Sequence, residues 1–137
     1  MTESIVQTDP RNLSIFQDLK NLGVLLAIDD FGTGYSSFAS LKHLKVDCLK
    51  IDKYFVNDML VDNQALTLIS SMIEMGHKLG YGIIAEGVEK PEQLDILRSL
   101  GCEKVQGYLF SKPVNVDTIS KLLVTRQRKL NKMASAA

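Results

Sequence analysis

The 137-residue sequence has no excess of either charge, with Lys plus Arg equal to Asp plus Glu at 16 each. No net field therefore favours a nucleic acid polymer or an acidic membrane, and any partner has to be recognised locally. No apolar run approaches the length that spans a bilayer, and the polar opening MTESIVQTDPRN is not expected to act as a signal peptide. Two cysteines do not make a disulfide framework. Cys48 lies in an apolar run and Cys102 follows a glycine, and no Cys or His spacing supports a metal pair between them. Reduced thiols in a cytoplasmic protein are the simplest reading.

Within those limits there is room for one modest domain. A chain of this size can bury roughly two-thirds of its unfolded surface. Its apolar content of 45% and charged content of 23% suit a soluble globular core.

Period and punctuation then give an alternating order. Residues 9–21 read as a helix closed by Gly23, and 24–30 (VLLAIDD) as a strand with apolar residues on both faces. A short helix over 35–43 and a strand over 46–52 (VDCLKID) follow. Residues 63–80 form a strong amphipathic helix capped by Asn63 or Asp62, and 82–86 (GIIAE) a third strand. A helix over 91–100 starts at Pro91 and ends at Gly101, before a short strand at 103–107. A last helix spans 116–130, and the stretch 124–137 turns basic and is expected to fray. A helix followed by strand–helix units predicts an α/β fold: a parallel sheet of about four strands with crossover helices.

The polar residues gather at the carboxyl ends of these strands, where parallel α/β folds bind ligands. The first strand ends in Asp29 and Asp30, the second carries Lys50 and Asp52, the third ends in Glu86 with Glu89 beyond, and the fourth ends in Gln106. Carboxylates with an amide suit a hard divalent cation. Lys50 beside them can neutralise charge, hold a phosphate or orient a water, and the set suits metal-assisted phosphoester hydrolysis. Gly32, Gly34, Gly87 and Gly107 stand near the same ends, as close backbone approach to a ligand or plain turn chemistry requires.

Each position also has a structural reading. Adjacent residues of a regular strand face opposite ways, so Asp29 and Asp30 converge only if the strand is already ending; otherwise Asp30 caps the turn. Lys50 can be the ion-pair partner of Asp29 or Asp52, Gln106 can satisfy backbone groups at the sheet end, and Glu89 can be a loop residue. His43 and His77 fall on predicted helices away from the strand ends and read as solvated or packing residues. Met59, Met72 and Met75 read as filler.

The segments MTES, DDFGTGYSS, LKIDKYFV, IIAEGVE and QGYLFSKP, in this order, closely resemble the EAL domain, a family of bacterial phosphodiesterases that linearise cyclic di-GMP. The resemblance covers about residues 1–123 and implies part of a TIM-like (β/α)8 barrel in which one strand runs against the others. It implies Mg2+ or Mn2+, with Asp29 bridging two ions and Asp30 on the second. Glu86 would join the second ion or act as base. Lys50 would hold the attacking water or a phosphate oxygen, and Gln106 a metal-linked water. Glu89 would stand behind the site, Asp52 would be a substrate or structural contact, and Glu3 would anchor the loop 31–37, which the family uses in metal binding and dimer contacts.

The sequence also departs from the family pattern. The Glu-Ala-Leu signature, the glutamate before TES and an asparagine ligand are absent from these 137 residues. The resemblance is therefore to the carboxyl-terminal part of the domain, with weak or no hydrolysis expected from it alone. Four strands would leave two open edges, which predicts self-association or pairing with an amino-terminal half. The alternative is a cyclic di-GMP-binding or dimerisation module without turnover; a truncated gene product is a third possibility.

Overall fold

The computed structural model describes residues 10–33 and 46–134, with side chains over 14–33 and 46–125. The elements are α1 (Pro10–Asn21), β1 (Ala27–Phe31), β2 (Cys48–Ile51), α2 (Lys53–Asp58), α3 (Asn63–Lys78), β3 (Gly82–Ala85), α4 (Pro91–Ser99), β4 (Lys104–Val105) and α5 (Val116–Ala134). The strands form one parallel sheet in the order β1-β2-β3-β4. The fold class is thus the α/β arrangement of four parallel strands that the alternation predicts. The expected helix at 35–43, together with His43, Gly34 and Glu3, lies outside the described residues.

Helix boundaries follow local chemistry. Asp62 accepts the Gln64 N–H at 2.8 Å and starts α3; Asn115 accepts the Thr118 N–H at 3.0 Å and starts α5. Pro91 occupies the first position of α4, where its missing N–H costs nothing. Helix α2 is one short piece that hydrophobic period does not announce. Its signal is Asp52, whose Oδ1 accepts the Tyr54 N–H at 2.6 Å.

Alternation along the strands divides the sheet into two faces. Leu49, Ile51, Ile83 and Ala85 are buried, and they pack with Ile69 and Ile73 of α3, Val56 and Phe55 of α2, and Leu97 of α4. Met59 is buried in the same core, and Met72 and Met75 pack against it. Lys50, Ile84 and Glu86 fall on the opposite face, and none of the three is fully buried. Leu22, Val24 and Leu25 near β1, and Val116, Ile119, Leu122, Leu123 and Val124 on α5, are exposed apolar groups.

Two carboxylates hold the amino-terminal ends of neighbouring strands together. Asp47 accepts the Leu26 N–H at 2.8 Å and pairs with Lys20 at 3.0 Å. Glu103 accepts the Ile83 N–H at 2.9 Å and faces His77 Nε2 at 2.8 Å. These pairs stand at the pole opposite the acidic strand ends and keep the sheet in register there.

Candidate functional site

The register of β1 explains how adjacent aspartates reach one place. Ile28 pairs with Leu49 and Phe31 with Ile51, so two residues of β1, Asp29 and Asp30, stand opposite the single residue Lys50. This is a bulge. Asp30 takes φ of 50°, a left-handed backbone that Asp tolerates better than most side chains. The extra residue lets Ile28 and Phe31 both pack against the core, while both carboxylates turn to the mouth.

Gly32 then turns the chain with φ of 103°. A Cβ there would stand 2.6 Å from Met72 Cε and 2.7 Å from Phe55 Cε2. Only glycine fits both the backbone and the space.

One carboxylate oxygen from each of Asp29, Asp30 and Glu86 lies within 4.8 Å of the others. Lys50 Nζ sits among them, donating to Asp29 Oδ1 at 2.9 Å and to Glu86 Oε1. Burial alone would push the Lys50 ammonium down, but its bonds to Glu86 and then Asp29 outweigh that and hold its pKa above the ordinary lysine range. Asp30 moves the other way from a salt-bridged acid. Its pKa is raised, first by a hydrogen bond with the Asp52 carboxyl, then by burial and the charges of Asp29, Asp52 and Glu86. A cluster that raises a carboxyl pKa through like charge is one that an added cation would relieve.

The other expected residues stand around this centre. Asp52 caps α2 with one oxygen and meets Asp30. Gln106 ties β4 to its neighbours through its backbone: its N–H donates to the Ala85 carbonyl at 2.8 Å and its carbonyl accepts the Val88 N–H at 3.1 Å. The Gln106 and Glu89 side chains are exposed. Sequence reading passed over Gln93, the buried residue beneath the Glu86 loop. Its place at the third position of a helix that begins with proline is where a glutamine reaches back to the cap N–H, and that was the available signal.

Comparison with known proteins gives these residues a context. The EAL domain family model matches residues 1–113. The cyclic di-GMP phosphodiesterase NbdA of Pseudomonas aeruginosa is 40% identical over 121 residues, which is 88% of this chain and 16% of NbdA. The chain spans about a sixth of the length of the curated relatives it matches. Among solved structures, the Pseudomonas aeruginosa MucR phosphodiesterase in complex with c-di-GMP superposes with a TM-score of 0.77 at 39% identity, over 87% of this chain and 49% of that one. A manganese and c-di-GMP complex of Klebsiella pneumoniae BlrP1 gives 0.73 at 32% identity, over 82% and 29%.

Proposed function

The chain belongs to the EAL domain family, and from that premise we propose that it is the carboxyl-terminal part of a metal-dependent phosphodiesterase that opens cyclic di-GMP at one phosphodiester bond to give linear pGpG. Its four parallel strands are part of a TIM-like barrel, the fold of its structural neighbours. The observation that carries the proposal is the convergence of Asp29, Asp30 and Glu86 around Lys50 at the carboxyl ends of three successive strands.

The donor set fits a hard divalent ion, since it offers only oxygen and gathers three carboxylates in one place. Asp29, Asp30 and Glu86 would hold Mg2+ or Mn2+, which when bound polarises phosphate oxygens and makes water a better nucleophile. Lys50 supplies a fixed positive charge for a phosphoryl oxygen or the attacking water, and its raised pKa keeps it protonated through the neutral range. Glu86 would either join the ion or take the proton from water. Gln106 supports a water at the rim, and Glu89 and Asp52 steady the surrounding loops. Free thiols at Cys48 and Cys102 support a cytoplasmic setting, and no helix among the described residues is long and apolar enough to cross a membrane.

Three carboxylates are few for a site of this kind, and the exposed apolar groups beside β1 and on α5 support a chain that associates with itself or with an amino-terminal half. The 137 residues alone are therefore expected to hydrolyse weakly or not at all. The test is cyclic di-GMP hydrolysis with Mg2+ or Mn2+, by the chain alone and with an EAL amino-terminal half added. Slow turnover that the added half accelerates, and that Asp29→Asn abolishes, supports the proposal. Rapid turnover by the chain alone overturns its incompleteness. Binding without turnover under either condition makes the chain a binding or dimerisation module, and neither binding nor turnover refutes the assignment.

A further inference from the structure

Asp30 and Glu86 belong to different strand ends; the Glu86 N–H is held by the Ile51 carbonyl at 3.1 Å, and beyond that bond the course of the chain depends on the loop that follows. Residues 86–90 lie between β3 and α4 in neither helix nor strand. Beneath them is Gln93, 2% exposed and the one buried polar side chain among the described residues. Its Oε1 accepts the N–H groups of Glu89 and Lys90, each at 2.9 Å. Its Nε2 donates to the Val56 carbonyl at 2.8 Å. Val56 is in the last turn of α2, where carbonyls have no partner further along the helix. A buried amide is tolerated only when its polar atoms are paired, and here both ends are used on two separate segments.

The same loop meets α2 again at Gly87, where a side chain would run into Lys53. On its other side, the Val88 N–H donates to Gln106 and the Val88 carbonyl accepts the Leu109 N–H at 3.0 Å. Those are backbone bonds that almost any sequence can make. The bonds of Gln93 need an acceptor and a donor on one side chain of that length.

We propose that Gln93 is a positioning residue for the acidic mouth: it locks the loop carrying Glu86 to α2, and through α2 to the strand end that bears Lys50 and Asp52. The lock itself is a matter of hydrogen bonding; only its consequence for metal binding rests on the phosphodiesterase reading. An apolar residue of the same length would leave two amides and a carbonyl unpaired and loosen the loop at Glu89 and Lys90, with the core beneath still filled.

The experiment uses the full chain with Gln93→Met and a control, Ile73→Val, in the core under the sheet. Amide hydrogen exchange followed by mass spectrometry should show residues 86–90 exchanging about ten-fold faster in Gln93→Met, as the loss of a hydrogen bond implies, with β2 and β3 matching the control. Mn2+ titrated by electron paramagnetic resonance should bind about ten-fold more weakly to Gln93→Met, the usual scale for a group that orients metal ligands, and unchanged to Ile73→Val. Unchanged exchange at 86–90 overturns the proposal, as does equal weakening of Mn2+ by the control. A wild-type chain that binds no Mn2+ counts against the phosphodiesterase reading, and the exchange result alone then decides the lock. Should Gln93→Met fail to fold, Gln93→Glu decides. It keeps both acceptor bonds and loses the donor when ionised, so exchange of α2 should quicken and Mn2+ affinity fall; wild-type values for both overturn the proposal.

Discussion

Replacing Lys50 with methionine keeps the apolar stem of the side chain and removes its charge. Opposite charges 4 Å apart attract by about 4 kcal/mol at an effective dielectric of 20. Desolvation and side-chain ordering return most of this: exposed pairs net about 0–1 kcal/mol, while breaking a buried one costs about 3–5 kcal/mol. Lys50 and Glu86 are 22% and 20% exposed, but Asp29 is 60% exposed. The Glu86 contact therefore carries most of the weight, and Lys50→Met should lose about 2 kcal/mol. For a chain of this size that lowers the melting temperature by roughly 6 °C. The three carboxylates are then left facing one another, and a divalent ion should restore much of the loss by binding the folded state alone.

Thermal melts by circular dichroism, in EDTA and in Mg2+ or Mn2+, read both effects. The pair contributes fully below the ordinary lysine range, and its contribution fades only as pH rises through the raised Lys50 pKa. The wild-type advantage should accordingly persist through neutral and mildly alkaline pH. Equal melting temperatures for wild type and Lys50→Met in EDTA would refute the pairing argument. A deficit as large with metal as without it would refute the exchange of one cation for another.

A Cβ at Gly107 would run into the backbone of Val88, so Gly107→Ala should break the Val88–Gln106 and Leu109–Val88 bonds and cost about 3 kcal/mol in urea unfolding. Leu97→Ala empties a fully buried position and should cost about 2–5 kcal/mol by the same measurement. Acid should weaken the fold at its amino-terminal pole. Asp47 is held below the usual carboxylate range by the Leu26 N–H and then Lys20; burial pushes Glu103 up, but the Ile83 N–H, its own amide and His77 bring it down overall. Such groups stabilise above their unfolded pKa of about 4 and lose that contribution as pH falls through the lowered value, so the urea midpoint should drop there, and less steeply in Asp47→Asn. Light scattering after size exclusion should find a concentration-dependent oligomer held by the apolar groups of α5, and a dilute well-folded monomer would count against it.

The elements that were legible in the sequence are those that one face or one cap defines. The stripe through Leu66, Ile69 and Ile73 marked α3, and proline and glycine bracketed α4. Strand β1 was placed too early, because Val24 and Leu25 are apolar yet exposed, ahead of the strand at the sheet's edge. Helix α2 escaped notice because six residues are too few to show a helical period. Strand order put Asp29, Lys50 and Glu86 at one end of the sheet from spacing alone. How Asp29 and Asp30 share a face was not legible, since a bulge is a matter of register between two strands and no single strand records it. Gln93 was hidden for a similar reason: its partners Val56, Glu89 and Lys90 lie on separate segments.

The extra residue in β1 has an evolutionary corollary. Deleting Asp30 alone would let the strand run straight and pair evenly with β2, relieving a left-handed backbone at no cost in sheet hydrogen bonds. It would leave Phe31 opposite Ile51 and in the core, and take one acid from the mouth. A three-carboxylate mouth and a flawless lattice of strands are thus in opposition at a single codon, and, on the proposed phosphodiesterase reading, a lineage released from selection for hydrolysis would find its shortest route to an inert scaffold there.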